Sequence, residues 1–268
     1  GRLYINGQLV SKEINNPSFS DYDKRYYYRR YNITKYLKEG TNYIGIILGN
    51  GWFKETKKLI EFTHTYSDIL KCGFYILSNN EVISSSDDDI FYKKSHVVFN
   101  NIYYGETHDY SLFDKDWNIR LDNSYSLCKK CDSPKGVPTL QYLKCEEEIR
   151  DIKPVEFKRD GNVIYYDNKE NIVGYAVIKP TSDYVKVIYA EELYEDGSFD
   201  LTHTSNLEDQ IQNNVYLNCK NQKELKPIFT INGFRYFSVE GGVCEVVKVV
   251  HPRLKTITSF KCHNNVIR

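Results

Sequence analysis

The feature that most constrains the fold is a succession of short apolar and aromatic runs, separated by turn residues at a spacing of roughly 8 to 12 residues. Residues 3–10 hold Asn6-Gly7 between two strand-like runs, which is the strongest short-range signal for a β-hairpin. Residues 25–31 suit a strand, and residues 32–37 predict a single N-capped helical turn. Further strand candidates are residues 43–48, 72–77, 81–86, 91–94 and 96–99.

The second half of the chain shows the same organisation after a break. Between residues 122 and 138 the pattern fades into Asp, Asn, Ser, Lys, Gly and Pro, which predicts a domain boundary. Strands are predicted again at residues 141–145, 163–166, 174–179, 184–191, 214–218, 229–231, 234–239 and 245–250. No clear helix separates them, so a parallel α/β fold is disfavoured. The sequence predicts an all-β chain with two β-sandwich (jelly-roll) domains in tandem, over residues 1–125 and 139–250.

Charge and apolar content disfavour several kinds of partner. The 36 basic and 36 acidic residues cancel, so no net field attracts nucleic acid or an anionic membrane. No run of about 18 apolar residues predicts a membrane span. The chain starts at Gly1 and contains no methionine, so we expect its natural N-terminus to be missing, and localisation stays open between cytoplasm and export. Seven irregularly spaced cysteines predict reduced thiols rather than a disulfide scaffold.

The usual catalytic motifs are absent from the sequence. There is no Gly-x-Ser-x-Gly elbow, and Gly49-Asn50-Gly51 lacks the third glycine of a dinucleotide-binding loop. The six histidines are scattered, and linear order cannot reveal a hydrolytic carboxylate pair among 36 acids. The acidic runs at residues 87–89 and 146–148 are typical of solvated charge, although a triple-aspartate turn could hold calcium weakly.

Two clusters combine glycine with aromatic residues. Gly49-Asn50-Gly51-Trp52-Phe53 places one of the two tryptophans just after a tight turn. Residues 101–110 contain three tyrosines, an imidazole and carboxylates. A sugar ring stacks on aromatic carbon while amides and carboxylates bind its hydroxyls, so both clusters fit a carbohydrate site. Core packing combined with turn geometry is the alternative interpretation.

Several motifs follow one another in a characteristic order. In the first half they are Leu3-Tyr4-Ile5-Asn6-Gly7 with Val10, Asp21-Tyr22-Asp23-Lys24-Arg25, Tyr31-Asn32-Ile33-Thr34 with Leu37, Gly40 and Asn42, Leu48-Gly49-Asn50-Gly51-Trp52-Phe53, and Ile102-Tyr103 with Gly105-Glu106-Thr107 and Asp109. In the second half they are Ala190-Glu191-Glu192 with Asp196-Gly197, residues 229–236, and residues 260–265. In order and spacing the chain resembles the β-domains that precede the catalytic barrel in bacterial α-L-rhamnosidases. Lys169-Glu170-Asn171 departs from the family, where a Gly-Gln-Asn turn is usual.

The resemblance implies an architecture. Residues 1–125 are expected to form a galactose-binding-like jelly roll whose first strands precede Gly1. Residues 139–250 are expected to form a concanavalin-like β-sandwich, and residues 251–268 a lead-in to a catalytic helical barrel that is absent here. The family's inverting hydrolysis uses a carboxylic acid and a carboxylate base on that barrel. The resemblance thus implies no catalytic residue in this segment, which alone is expected to be inactive.

The resemblance also implies a function. We expect a non-catalytic accessory segment of a bacterial glycoside hydrolase, which supports the barrel by intramolecular contact and recognises rhamnosyl carbohydrate. An independent carbohydrate-binding or adhesin module is the alternative. No cofactor is required, although related jelly-roll modules bind L-rhamnose in some cases with calcium. Asn50, Trp52, Tyr103 and Glu106 are the predicted carbohydrate-binding residues.

Overall fold

The computed structural model describes residues 1–54, 66–202 and 212–252, and 47% of this structure is β-strand. Its first eleven strands are β1 (Arg2–Ile5), β2 (Gln8–Leu9), β3 (Arg25–Tyr28), β4 (Ile44–Ile47), β5 (Tyr75–Ser78), β6 (Glu81–Ser85), β7 (Phe91–Tyr92), β8 (Val97–Asn101), β9 (Gly105–Asp109), β10 (Ser126–Leu127) and β11 (Val137–Leu140). The next nine are β12 (Glu146–Ile152), β13 (Val155–Asp160), β14 (Val163–Pro180), β15 (Tyr184–Ala190), β16 (Glu192–Leu193), β17 (Phe199–Asp200), β18 (Asn213–Leu217), β19 (Asn232–Glu240) and β20 (Gly242–Pro252).

Helical structure in the described ranges is confined to two 3-10 turns, Thr34–Tyr36 and Tyr110–Leu112. The first is the predicted helical turn, and the Asn32 side chain accepts a hydrogen bond from the Thr34 backbone N–H at 3.0 Å. None of the described helices is long and apolar enough to span a bilayer. The predicted all-β class, built from β-sandwiches, is confirmed.

The largest sheet has nine strands and curls because β14 changes partner along its length. The strand order is β12-β20-β14-β19-β15-β18-β9-β8, and β13 also pairs with β14. β14 pairs with β19 from Val163 to Gly174 and with β20 from Gly174 to Pro180. One continuous strand thus replaces the two that the sequence predicted at residues 163–166 and 174–179.

The principal core lies inside this curl. Its fully buried side chains include Ile178, Tyr189, Tyr216, Phe234 and Phe237. Burial of each such side chain contributes about 1.5–3 kcal/mol relative to exposure, so this cluster dominates the stability of the sandwich.

A second, smaller cluster covers the opposite face of β14. It contains Ile14, Tyr175, Val177 and Val250. The Ile14 backbone N–H also donates to the carbonyl of Glu146 at 2.7 Å, which joins the N-terminal segment to the start of β12. The first residues of the chain are therefore packed against the outside of the large sheet.

The predicted N-terminal hairpin is confirmed. Asn6 and Gly7 form a two-residue turn with φ of 49° and 83°, the geometry of a type I′ turn. The Asn6 side chain donates to the Asn42 side chain at 2.8 Å and accepts from the Tyr43 backbone N–H at 3.0 Å. These bonds hold the hairpin against the residues that lead into β4, the partner of β1.

Two predicted strands are wrong, because side chains bind the backbone that a ladder would have used. Residues 141–145 are not a strand: Arg29 donates to the carbonyls of Gln141 and Leu143 at 3.0 and 3.1 Å. Residues 229–231 are not a strand either, since the backbone N–H groups of Ile228 and Phe229 donate to the Glu106 carboxylate. The acidic run at residues 146–148 begins β12.

β9 was not predicted as a strand, yet it joins the two halves of the chain. It pairs antiparallel with β8 and parallel with β18, whose residues follow it by more than 100 positions. Residues 97–109 thereby extend the large sheet. The domain bounds 1–125 and 139–250 stay predictions, and residues 253–268 of the predicted lead-in lie outside the described residues.

The bulge in β14 stands where the sequence departs from the family pattern. Lys169 adopts a φ of 66°, and its backbone N–H donates to Asp167 at 2.6 Å. Arg235 on β19 donates to both oxygens of the same carboxylate, at 3.0 and 3.2 Å. Desolvation by burial opposes ionisation, but these hydrogen bonds outweigh it and lower the pKa of Asp167 to about 2.

The lowered pKa of Asp167 predicts a loss of stability in acid. The ordinary pKa is 3.8, so the stabilising contribution is complete above about pH 4 and is lost as pH falls toward 2. Solvent at the partly exposed Arg235 screens the pair, so we expect the contribution to be about 1 kcal/mol. Asp167→Asn should reduce the slope of the unfolding free energy between these pH values, as measured by urea titration. An unchanged slope would contradict this assignment.

Candidate functional site

The turn after β4 is fixed by the neighbouring strand β8. The Asn50 backbone N–H donates to the Asn100 side-chain oxygen at 2.7 Å, and the Asn50 amide donates to the Asn100 carbonyl at 2.9 Å. Gly51 follows with a φ of 51°, as expected for a tight turn. The backbone N–H and the side-chain amide of Asn50 are thus both engaged within the protein, and Trp52 follows the turn that Asn50 forms.

Trp52 and Tyr103, both predicted site residues, lie together. Their ring centroids are 5.5 Å apart in an edge-to-face arrangement. Phe19, which no sequence motif indicated as a site residue, also contacts Trp52, with ring centroids 5.0 Å apart. Phe19 and Trp52 are 51% and 38% exposed, whereas Tyr103 is half-buried. We refer to Phe19, Trp52 and Tyr103 as the aromatic surface.

Further rings support the aromatic surface. Tyr22 lies 6.0 Å from Phe19, 5.1 Å from Phe53 and 5.0 Å from Tyr66, each in edge-to-face geometry. Burial raises the pKa of Tyr22 to about 12, so its hydroxyl stays protonated at neutral pH. Edge-to-face contacts of this kind contribute about 0.5–1.5 kcal/mol each beyond area burial, which favours one defined arrangement of the exposed rings.

Tyr103 is placed by the turn between β8 and β9. The Asn101 side chain accepts hydrogen bonds from the backbone N–H groups of Tyr103 and Tyr104, at 2.8 and 3.1 Å. Gly105 then adopts a φ of 97° and brings the chain into β9. A short asparagine side chain and a glycine therefore set the position of the third ring.

Glu106 does not belong to the exposed surface. Its side chain is fully buried, and its carboxylate accepts from the backbone N–H groups of Ile228 and Phe229, from the Thr230 hydroxyl, and from His108. Desolvation raises the pKa of this carboxyl, but the hydrogen bonds, led by that of His108, outweigh it and hold the pKa below its ordinary value. The carboxylate is thus ionised, and its hydrogen-bond partners are protein groups, whereas the sequence predicted a contact with sugar.

The arrangement fits adhesion to an uncharged, ring-shaped ligand. Exposed aromatic faces bind the C–H groups of a pyranose, while polar groups at the rim bind its hydroxyls. Asp21 precedes Tyr22 in the chain, and its carboxylate contacts Lys24 and accepts from the Tyr66 hydroxyl.

The described ranges contain no group of three or more His, Cys, Asp or Glu residues that could hold a metal ion. In the triple-aspartate turn, the Asp88 carboxylate accepts from the Ser84 hydroxyl and the Ser85 backbone N–H, at 2.8 and 3.0 Å. That carboxylate therefore closes the turn after β6. The six cysteines in the described ranges are free thiols.

Comparison with known proteins identifies relatives of both halves of the chain. The sequence profile of the alpha-L-rhamnosidase N-terminal domain matches residues 2–142, and that of the bacterial alpha-L-rhamnosidase concanavalin-like domain matches residues 158–259. An alpha-L-rhamnosidase of Formosa agariphila is 28% identical over 261 residues, which are 89% of this chain and 27% of that protein. The chain thus spans about a quarter of the length of the curated relatives it matches.

Solved structures show the same fold. The alpha-L-rhamnosidase of Aspergillus terreus superimposes with a TM-score of 0.82 at 22% identity, over 99% of this chain and 33% of that one. The Streptomyces avermitilis alpha-L-rhamnosidase complexed with L-rhamnose superimposes with a TM-score of 0.76 at 19% identity, over 94% of this chain and 26% of that one.

Proposed function

The chain belongs to the bacterial α-L-rhamnosidase family, and from this premise we propose that it is a non-catalytic β-region of such a glycoside hydrolase that binds rhamnosyl carbohydrate through its aromatic surface. The observation that carries the proposal is the contact of Phe19, Trp52 and Tyr103, which the fold assembles from three separate segments and leaves partly exposed. A large exposed aromatic group is costly to keep on a surface, so such a group marks a contact site.

L-Rhamnose suits this surface chemically. It is a 6-deoxy sugar, and its methyl group and ring C–H bonds supply apolar area for aromatic stacking. The Streptomyces avermitilis relative was solved in complex with this sugar. We therefore propose rhamnosyl units as the ligand of this chain, bound without a required cofactor.

The proposed division of roles leaves hydrolysis to a catalytic barrel in contact with this region. The chain spans only a quarter to a third of its relatives, which is compatible with an accessory part of a larger enzyme. Incubation of the purified chain with an aryl α-L-rhamnoside should give no turnover above background. Measurable turnover that persists through purification would overturn the non-catalytic proposal.

Trp52→Ala should weaken sugar binding about tenfold, since the loss of one stacked ring removes about 1.4 kcal/mol. The measurement is a calorimetric titration of the chain with L-rhamnose and with a rhamnosyl disaccharide, each with and without calcium. Tyr75→Ala is the matched control, because Tyr75 is an exposed aromatic residue on β5, outside the aromatic surface. Equal affinities for Trp52→Ala and Tyr75→Ala would assign the binding, if any, to another surface.

A further inference from the structure

Glu106 connects β9 to a segment more than 120 residues further along the chain. Its Oε1 accepts from the Phe229 backbone N–H at 2.6 Å and from the Thr230 hydroxyl at 2.9 Å. Its Oε2 accepts from the Ile228 backbone N–H at 2.9 Å and from His108 Nε2 at 2.7 Å. Residues 228–230 form no strand, so this one carboxylate replaces a ladder as the acceptor for consecutive backbone donors.

The chemistry of these contacts requires an acid. An ionised carboxylate can only accept hydrogen bonds, so all four of its partners must be donors. His108 must therefore carry a proton on Nε2. A glutamine at position 106 would offer one acceptor oxygen and turn an NH₂ group toward the remaining donors. At least one buried donor would lose its partner, and a buried donor without a partner is strongly disfavoured.

The segment that Glu106 holds touches the turn that carries Trp52. A Cβ added at Gly49 would lie 2.5 to 2.9 Å from ring atoms of Phe229, so the Phe229 ring rests directly against the Gly49 backbone. Position 49 therefore has room for no side chain while Phe229 stays where Glu106 places it. The Glu106 carboxylate thus contacts Phe229, and Phe229 contacts the first residue of the Gly49-Asn50-Gly51 turn.

A second path leads from the same strand pair to the same turn. Asn100 is the direct ladder partner of Glu106 across β8 and β9. Its side chain and carbonyl accept both hydrogen bonds that fix Asn50, at 2.7 and 2.9 Å. The first route meets the turn at Gly49 and the second at Asn50, and Trp52 follows the turn directly.

We propose that Glu106 is a positioning residue for the aromatic surface, acting through residues 228–230 and the Phe229 ring, with Asn100 as the second support of the turn. The expected effect on sugar binding rests on the proposed function, whereas the positioning of Trp52 is a property of the free protein. It replaces the expectation that Glu106 contacts sugar directly.

The test uses the two tryptophans as separate reporters. The chain contains only Trp52 and Trp117, so labelling with 5-fluorotryptophan gives two ¹⁹F resonances, assigned with Trp52→Phe. Glu106→Gln and Phe229→Leu should each shift the Trp52 resonance and leave that of Trp117 in place. Val247→Ala is the control, because Val247 is buried in the same principal core and its ladder partners are Ile152 and Ala176. Phe229→Leu keeps the test valid if Glu106→Gln fails to fold.

Binding and positioning are read separately. If the chain binds rhamnosyl sugar, Glu106→Gln and Phe229→Leu should each raise the dissociation constant about tenfold. An effect of this size is typical of mutations that act on a site through packed neighbouring residues. A shifted Trp52 resonance in a chain that binds no sugar would refute the proposed function while supporting the positioning role. An unmoved Trp52 resonance in both variants, or an equal shift in Val247→Ala, would overturn the positioning role.

Discussion

Gly105→Ala should abolish folding or lower the free energy of unfolding by more than about 3 kcal/mol. A Cβ at this position would lie 1.7 Å from the carbonyl oxygen of Asn213 and 2.7 Å from its carbonyl carbon. Both are backbone atoms of the first residue of β18, so a side-chain rotation cannot relieve the clash. Because β9 and β18 are the parallel pair that joins the two halves of the chain, their separation would disrupt the large sheet. Urea unfolding and the yield of soluble protein measure the effect.

Gly51→Ala is the matched control for this prediction. Gly51 also has a positive φ, of 51°, but a Cβ added there meets no atom within 4 Å. Its cost should be limited to the left-handed backbone conformation, about 1 kcal/mol. If the two variants lose the same free energy of unfolding, the positive φ alone accounts for the loss at both positions. The close approach of β9 to β18 would then add nothing to the destabilisation by Gly105→Ala.

The parts of the fold that the sequence predicted depend on local signals. Asn6-Gly7 specifies its hairpin because both residues accept a positive φ, and the two residues flanking the turn become ladder partners automatically. The short 3-10 turn at Thr34–Tyr36 is equally local, since Asn32, whose side chain accepts from the Thr34 backbone N–H, lies two residues away. In such cases the interacting groups are close together in the sequence, so the residue types are enough to predict the local structure.

The parts that could not be predicted depend on contacts between distant residues. Glu106 looked like a surface acid because nothing near it in the sequence reveals that Ile228 and Phe229 donate to it. Phe19 was missed for the same reason, since its contact with Trp52 joins two loops. Trp52 and Tyr103 were assigned to one surface through the family resemblance. Their ring contact joins residues 51 positions apart, and the Asn50–Asn100 hydrogen bonds link the same two segments.

The linker between β11 and β12, residues 141–145, is held by the arginine of a nearly buried ion pair. Arg29 Nη2 contacts both oxygens of Glu13, at 2.5 and 2.6 Å, and the two side chains are 17% and 5% exposed. Through Nη1, Arg29 also donates to the carbonyls of Gln141 and Leu143. A planar guanidinium can serve a carboxylate and two carbonyls at once, whereas a lysine could not. These hydrogen bonds from Arg29 occupy carbonyls of residues 141–145, which explains why this segment forms no strand.

Arg29→Met should lower the free energy of unfolding by about 3 kcal/mol, because it leaves the Glu13 carboxylate buried without its cation. It should also free the linker carbonyls, so trypsin should cut after Lys144 faster than in the unmodified chain. Arg30→Met is the matched control: the neighbouring arginine is exposed and contacts only Tyr28 among the bonds and ring contacts described. Equal unfolding free energies for the two variants would show that the ion pair contributes little.

The double variant Glu13→Gln with Arg29→Met separates the two roles of Arg29. Removing both charges should restore part of the lost stability, since an unpaired buried carboxylate is the main cost in the single variant. Cleavage after Lys144 should stay fast, because a methionine donates nothing to Gln141 or Leu143. Stability and protection of the linker would then respond differently to the same pair of substitutions. If the double variant regained both stability and slow cleavage after Lys144, the surrounding fold would be what holds the linker. The hydrogen bonds of Arg29 to Gln141 and Leu143 would then be a consequence of that fold.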